Sequence, residues 1–251
     1  MFAQKRVWMY AVKRMRPKAK RRKELIMASL EEKRESIYRK MNKLKAYREI
    51  ENLMGRCVFA FNYHQKEAVL SYLAMEDPGV SVELADEGLY VGAEAVREYA
   101  DWKVPVPIQP GELTDIHLST PILEVAGDGK TAKGMWLCPG EGALLREGDD
   151  PEAIWMWGTL AADFLLVGEE WKIWHVHYFR LMKCDYQQGW VKDTSLENKL
   201  NASMPRSARP TTYHNPYTPY TIRDCIPGIP HPYESYEESD KDWMLHNNKA
   251  F

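Results

Sequence analysis

The stretch HLSTPILEVAGDGKTAKGMW, at residues 117–136, decides the fold class of this chain. Apolar and polar residues alternate on both sides of the turn at residues 127–129, and an Asp-Gly pair between two alternating runs is a strong hairpin signal. The stretch AADFLLVGEEWKIWHVHYF, at residues 161–179, repeats this pattern around a second turn. We therefore predict antiparallel strands at Leu113–Ala126, Thr131–Cys138, Ala153–Val167 and Trp171–Met182, with a loop at residues 139–152.

The first half of the chain is predicted to be mainly helical. From Glu24 to Asn62 apolar residues recur every three or four positions, which places them on one face of a helix. Shorter helices are predicted at Lys66–Met75 and Ala93–Trp102. Helices that precede a run of antiparallel strands indicate an α+β domain, in which the helices pack on one face of a curved sheet.

The charge of the chain is unevenly distributed. The 251 residues carry a formal net charge of −2, but residues 1–24 contain ten basic residues and one acidic residue, so the rest carries −11. The basic segment has no groove-reading motif and precedes an acidic body, so a nucleic-acid partner is not expected. Since no apolar run approaches the roughly 20 residues that span a bilayer, no membrane partner is expected either.

The last fifty residues differ in composition from the rest. They contain seven of the 15 prolines and five tyrosines, and prolines at this density exclude a continuous helix or a central strand. Disordered segments are poor in aromatic residues. We therefore predict an extended arm that docks on this subunit or on a neighbouring one.

The cysteines show no paired spacing and no Cys-x-x-Cys motif, and the chain has no recognisable secretory leader. Thiols without partners are typical of reducing compartments. We therefore interpret Cys57, Cys138, Cys184 and Cys225 as reduced thiols, and we expect a cytoplasmic protein.

Three histidines are candidates for chemistry, since the motifs of serine hydrolases, nucleotide-binding loops and zinc proteases are missing. His117 lies among apolar and small residues, and we expect it to face a concave apolar sheet, where it could shuttle a proton near physiological pH. A hydrogen-bonded core or surface histidine is the alternative. His175 and His177 are two residues apart and share one face of the last strand. A metal would need a third ligand that the sequence does not identify, so a pair of polar groups without metal is the preferred interpretation.

The two quoted stretches resemble the SnoaL-like branch of the nuclear-transport-factor-2-like superfamily, over roughly residues 43–183. The resemblance implies a conical α+β barrel, in which helices wrap a curved antiparallel sheet around one deep pocket. Residues 1–42 then form a basic leader and helical arm, and residues 184–251 form a Pro/Tyr-rich extended tail. Members that do chemistry, among them scytalone dehydratase and bile-acid 7α-dehydratase, use no metal or organic cofactor, so none is expected. Members also form dimers or trimers, so a homodimer or homotrimer is expected.

The resemblance places the proton-transfer histidine of the two dehydratases at His117. Two other positions of the bile-acid enzyme differ here, because its tyrosine falls on Cys57 and its aspartate on Asn62. Asparagine cannot act as the carboxylate that orients a histidine. Glu141 is the nearest candidate for a further acidic residue and is expected to lie in a loop. Tyr63 and His64 directly follow Asn62 and could substitute for the missing carboxylate. The catalytic candidates are therefore His117, Asn62, Tyr63 and His64.

We expect a cofactor-independent lyase (dehydratase) or isomerase that acts by histidine-mediated proton transfer. Its substrate is expected to be a small hydrophobic ring compound of aromatic, steroid-like or polyketide-like character. The side chains predicted to contact it are Phe61, Tyr90, Tyr99, Trp102, Trp136, Trp157, His175 and His177. A non-catalytic binding protein with the same pocket is one alternative, and an oligomeric interaction module is another. A pocket that contains His117 and a second titratable group would favour the enzyme, whereas purely apolar walls would favour the binding protein.

Overall fold

A computed structural model of the chain describes residues 2–84, 87–145, 150–193 and 204–237, with side chains described from residue 27 onward. The chain divides into two compact units, residues 1–45 and residues 46–251. Helix α1 (Phe2–Asn62) contributes to both units, and it begins well before the predicted start at Glu24. Within the described ranges, no helix is both long enough and apolar enough to cross a membrane.

The helices of the second unit present apolar stripes to one core. The α1 segment that starts at Ala46 buries Ala46, Ile50 and Met54, whose spacing of four places them on one side of the helix. Helix α2 (Lys66–Tyr72) buries Val69 and Leu70. Helix α3 (Ala93–Lys103) has its buried residues at 95, 96, 99 and 100, and a short helix α4 (Gly189–Lys192) follows the sheet.

The described residues form seven strands, numbered in chain order as β1 (Ser81–Leu84), β2 (Gly88–Val91), β3 (Leu113–Ile116), β4 (Ser119–Val125), β5 (Thr131–Leu144), β6 (Glu152–Val167) and β7 (Glu170–Asp185). They make one curved sheet in the order β2-β1-β7-β6-β5-β3, and β4 also pairs with β5. All neighbouring strands are antiparallel except β1 and β7, which run parallel, so the sheet is mixed. Alternation within a strand does not reveal the direction of a distant neighbour, which is why this pair was not predicted.

Among the strand boundaries that differ from the prediction, two affect the candidate site. The predicted strand at residues 113–126 is interrupted at residues 117 and 118, between β3 and β4. Strand β5 continues to Leu144 instead of ending at Cys138, so Glu141 lies in a strand and not in a loop. The extension pairs with β3 on one side and with β6 on the other. Such cross-strand hydrogen bonds stabilise residues whose local sequence is typical of a loop.

The described part of the C-terminal extension, residues 204–237, packs on its own domain. Arg209 pairs with Leu89 of β2 through backbone hydrogen bonds of 2.9 Å in both directions. Farther along, the Tyr217 N–H donates to the carbonyl of Leu181 in β7 at 2.7 Å. The carbonyl of Tyr233 accepts a hydrogen bond of 2.9 Å from the N–H of Gly127, in the β4–β5 turn. The arm therefore contacts the sheet from β2 to the β4–β5 hairpin.

A buried ion cluster ties the residue before β2 to α3 and β7. The Glu87 carboxylate forms ion pairs with Lys103, with Arg180 at 3.3 Å and with Lys183 at 3.9 Å. Burial alone would raise the pKa of Glu87. The three positive charges and a hydrogen bond from Lys103 outweigh this effect and lower the pKa to about 2. Glu87 is therefore ionised at every physiological pH.

Candidate functional site

An apolar cavity of about 110 Å³ lies between the helices and the concave face of the sheet. Helix α1 contributes Met54, Cys57, Val58 and Phe61 to its wall. The remaining lining residues come from α2, α3 and five of the strands, and they are Val69, Leu73, Val82, Leu84, Val96, Tyr99, Ala100, Ile116, Cys138, Leu160, Ile173, Val176 and Tyr178. The wall is aliphatic or aromatic apart from two thiols and two phenols.

None of these four polar groups belongs to a Lys, Arg, His, Asp or Glu side chain. Burial raises the pKa of Cys57 and that of Cys138 to about 12. Burial, reinforced by the nearby charge of Glu87, raises the pKa of Tyr99 well above its usual range. The hydroxyl of Tyr178 donates to the carbonyl of Cys138 at 3.4 Å. The cavity is therefore suited to an uncharged apolar occupant, since its wall offers no acidic or basic side chain as a counter-charge.

His117 does not line this cavity, and its surroundings are not the apolar ones that were expected. Ile116 lines the cavity and Leu118 packs against the core, so the residue between them points to the other side of the sheet. The side chain of His117 is 51% exposed. Its Nε2 lies 3.4 Å from Glu141 Oε1 and 3.8 Å from Asp115 Oδ2. The role in proton transfer that the resemblance implies stays a prediction, now in a polar setting.

Asp115, His117 and Glu141 form a cluster at the β3–β5 pair. Asp115 and Glu141 are directly opposite each other in the strand register. One ligand atom from each of the three residues lies within 4.8 Å of the others, a spacing at which a cation could be held. Among the described residues, this is the group of His, Cys, Asp or Glu side chains whose potential ligand atoms lie this close together. The sequence indicated His117 and Glu141 but not Asp115, although its position two residues before His117 places both on one face.

Asn62 connects the end of α1 to β3. Its Nδ2 donates to Asp115 Oδ1 and to the carbonyl of Ile116, both at 2.9 Å, while its Oδ1 accepts from the Ile116 N–H at 3.1 Å. Only an amide can donate and accept in this way, because an ionised carboxylate has no proton to donate. An aspartate at this position would also repel Asp115. The asparagine is thus explained by its structural contacts.

Tyr63 and His64 lie beside this connection but outside the cavity. Tyr63 is exposed, and its ring packs 4.6 Å from that of Phe59. His64 is buried, with its Nδ1 2.7 Å from the carbonyl of Pro105 and its Nε2 3.8 Å from Glu112 Oε1. These contacts anchor the end of the helix to the connector that follows α3.

The predicted substrate-contact aromatics divide into cavity, core and surface positions. Phe61 and Tyr99 line the cavity. Tyr90 is fully buried beside Tyr99, at a ring distance of 5.1 Å, and Trp136 packs edge-on against Phe164 at 6.2 Å. Two remaining tryptophans are not in the cavity wall. They are Trp102, which is partly buried with the Lys103 ammonium 4.5 Å from its ring, and Trp157, which is exposed.

His175 and His177 face away from the cavity, toward the C-terminal arm. Val176 between them lines the cavity, so the pleat directs both histidines to the opposite face. His175 Nδ1 lies 3.0 Å from Asp163, whose carboxylate also accepts from Lys133. The ring of His177 stacks on Phe179.

The same alternation identifies a cavity residue that the sequence analysis missed. Tyr178 follows Val176 by two residues and shares its face.

Burial lowers the pKa of His177 to about 3, with a weaker contribution of the same sign from His214 and an opposing hydrogen bond to the backbone of Tyr213. His177 is therefore neutral under the arm, and neither histidine of the pair is placed to contact a molecule in the cavity.

Comparison with known proteins identifies the fold. No family model matches the sequence, and no curated protein matches it. Solved structures do match. The structure of LinA is 14% identical over 62% of this chain and 99% of its own, with a TM-score of 0.51. A type 2 hexachlorocyclohexane dehydrochlorinase (LinA) is 14% identical over 62% of this chain and 99% of its own, with a TM-score of 0.50. An NTF2-like protein of unknown function from Pseudomonas putida KT2440 is 15% identical over 60% of this chain and 96% of its own, with a TM-score of 0.42.

This chain has the nuclear-transport-factor-2-like fold. The predicted α+β cone with helices wrapped around a curved sheet is thereby confirmed. Proteins of the nuclear-transport-factor-2-like fold that match this chain include a dehydrochlorinase, so the fold supports lyase-type chemistry in at least one of them. At these identities the similarity establishes the fold alone, and the function must be argued from the cavity and its surroundings.

Proposed function

We propose that this protein binds a small, uncharged, apolar molecule in the cavity beneath α1 and α3. The observation that carries the proposal is the wall itself, in which no side chain is that of a Lys, Arg, His, Asp or Glu. Transfer of an apolar molecule from water into such a site is favourable by about 25 cal/mol for each Å² that is buried. A charged molecule would lose its hydration without gaining a partner.

The cavity volume limits the size of the ligand. An engineered apolar cavity of about 150 Å³ holds benzene, whereas sites for drug-sized molecules measure about 300–1,000 Å³. At about 110 Å³ the present cavity fits one small ring after minor side-chain adjustment. A single-ring aromatic compound therefore suits the site. A steroid-like or polyketide-like molecule would require the helices to separate.

A binding experiment with defined probes tests this proposal. Benzene, toluene and indole are titrated into the protein by calorimetry, with benzoate as a charged probe of similar size. We expect the neutral probes to bind and benzoate to bind at least ten-fold more weakly, because its carboxylate would be buried unpaired. Val58→Phe fills part of the cavity and should weaken binding of the neutral probes at least ten-fold.

Arg56→Phe is the matched control, because it adds the same ring to the exposed side of α1. It should bind the probes like the unaltered protein. Equal binding by Val58→Phe and Arg56→Phe, or no binding of any neutral probe, would contradict the proposal. Melting temperatures of both variants establish that they are folded.

We further propose a cytoplasmic location, because all four cysteines are thiols, among them the exposed Cys225. Thiols persist in reducing compartments and tend to pair outside them. Labelling of Cys225 in protein isolated under non-oxidising conditions would test this assignment.

A lyase or isomerase is the second candidate function, and the carboxylates beside His117 favour it. A histidine 3.4 Å from one carboxylate and 3.8 Å from another can accept a proton as the carboxylates balance the new charge. In an elimination, His117 would take the proton from the carbon next to a carbonyl, and the electron pair of that C–H bond would form a carbon–carbon double bond as the hydroxyl on the neighbouring carbon departs. The departing hydroxyl would take the proton back from His117 and leave as water. The substrate would have to reach His117 from the exposed side of the β3–β5 pair.

Substitution of His117 distinguishes this candidate from simple binding. If the protein turns over a hydroxylated or enone ring compound, His117→Ala should lower kcat by at least about 100-fold. His231→Ala removes an exposed histidine from the tail and should leave turnover unchanged. Turnover in His117→Ala equal to that of the unaltered protein would remove the residue from the mechanism.

A further inference from the structure

The part of α1 before the second unit exposes an apolar stripe. We define the stripe as Met27, Leu30, Ile37, Tyr38, Met41 and Leu44, whose exposed fractions range from 54% to 67%. These are high values for large apolar side chains that lie close together, and exposed patches of this kind mark interaction surfaces.

The spacing of the stripe is that of a coiled coil. Positions 27, 30, 37, 41 and 44 follow a seven-residue repeat with apolar residues at its first and fourth positions, as in helices that pack in pairs. Arg34 occupies the first position of the middle repeat, within the seam, and forms an ion pair with Glu31 one turn earlier. Polar residues at such positions commonly set the register and orientation of the pair.

We propose that the stripe pairs with the same stripe of a second copy of this chain, antiparallel, to form a homodimer. In this register Met27 packs opposite the partner subunit's Leu44, and Leu30 packs opposite the partner subunit's Met41. Arg34 then lies opposite the partner subunit's Ile37, so that its aliphatic stem covers apolar surface and its guanidinium reaches water.

The exposed area is sufficient for a dimer. Six large side chains, each hiding roughly 100 Å² on contact, bury roughly 600 Å² on each copy and about 1,200 Å² in total. Specific protein interfaces begin at about 1,000–1,200 Å². The residues from Met27 to Leu44 extend along about 27 Å of helix, five turns, which is long enough for three layers from each chain.

Charge selects the antiparallel orientation. A parallel pair would place the two Arg34 side chains against each other in the seam. It would also align residues 1–24 of the two chains, each with ten basic residues. Like charges that face each other across an interface are unfavourable, so the antiparallel orientation is favoured.

Sedimentation of the full chain tests the dimer. We expect the unaltered protein to sediment at twice the chain mass at micromolar concentrations. Ile37→Glu places a charge in the seam and should raise the dimer dissociation constant by at least about 100-fold. Ala28→Glu adds the same charge to the exposed flank of the same helix and should leave the dimer intact. A monomer or a trimer for the unaltered protein, or equal behaviour of the two variants, would overturn the proposal.

Disulfide crosslinking tests the orientation. We expect an oxidised mixture of Leu30→Cys and Met41→Cys chains to form a crosslinked heterodimer, because these positions face each other in the antiparallel pair. Each variant alone should crosslink no more than the unaltered chain, which carries the same exposed Cys225. Crosslinking by each variant alone would indicate a parallel pair, and no crosslink in the mixture would also overturn the proposed register. Probe binding in the cavity should be the same in Ile37→Glu and the unaltered protein, so this proposal stands or fails independently of the proposed function.

Discussion

Glu87→Gln is expected to lower the free energy of unfolding by about 3–5 kcal/mol, because removal of one member of a buried ion cluster leaves the others uncompensated. The glutamine keeps the volume of the side chain but removes the negative charge that balances Lys103, Arg180 and Lys183. Urea unfolding measures the loss. Glu76→Gln, at an exposed position on the chain, is the control and should change stability by less than about 0.5 kcal/mol.

The acid stability of the protein provides a second measurement of the same cluster. Glu87 has a pKa of about 2 in the folded chain against an ordinary value of 4.5, so the unfolded chain takes up a proton before the folded chain does. The stability that Glu87 contributes is therefore present above about pH 4.5 and is lost as the pH falls toward 2. In Glu87→Gln the stability should fall less steeply across this window. If the free energy of unfolding fell equally steeply with falling pH in both proteins, the cluster would not be what holds Glu87 ionised.

Deletion of residues 204–251 is the second change with a large expected effect. It should lower the free energy of unfolding by at least about 3 kcal/mol, which for a chain of this size corresponds to a fall in Tm of about 6–12 °C. The reason is the sheet face that the arm covers. Glu83 is buried there, and its carboxylate accepts hydrogen bonds from the hydroxyls of Thr211 and Thr212 and from the Thr212 N–H.

A single substitution separates the hydrogen bonds to Glu83 from the bulk of the arm. Thr212→Val keeps the shape of the side chain but leaves the buried carboxylate short of a donor, which should cost about 1–3 kcal/mol. Thr221→Val, in an exposed turn of the same arm, should cost much less. Thermal unfolding of the deletion and the two valine variants checks both expectations. An unchanged Tm on deletion would mean that the arm contributes nothing to the fold.

The hairpins were predictable because their signals are local. The Asp-Gly turn between β4 and β5 lies where the sequence places it. There Gly129 adopts a φ of +72°, and Asp128 Oδ1 accepts from the Lys130 N–H at 2.9 Å. Turn geometry and alternation depend on residues within a few positions of one another, so they can be read from a short stretch. The end of β5 was not predictable, because partners on β3 and β6 extend it through a segment that resembles a loop.

The candidate site shows the same division. Its aromatic and apolar composition could be anticipated, and Phe61 and Tyr99 do line the cavity. His117 was expected inside because its neighbours are apolar, but Ile116 and Leu118 take the inward positions and direct it outward. Asn62 was considered for catalysis on the basis of position, whereas its amide makes a three-way connection to β3 that no spacing along the chain could reveal.

The amino-acid sequence by itself determined which segments form helices and where the hairpins lie. The order of these elements indicated an α+β domain, and the resemblance of the hairpin stretches implied the cone of the nuclear-transport-factor-2-like fold. The helices and hairpins could be predicted because hydrophobic period and turn chemistry are local properties of the chain. Only the tertiary structure decided which side chains enclose the cavity and which are excluded from it. The side of the sheet that a residue faces depends on strand breaks, on register and on what the other side contacts. His175 and His177 lie on β7 as predicted, whereas His117 lies at the break between β3 and β4, and the packing of the domain placed all three outside the cavity.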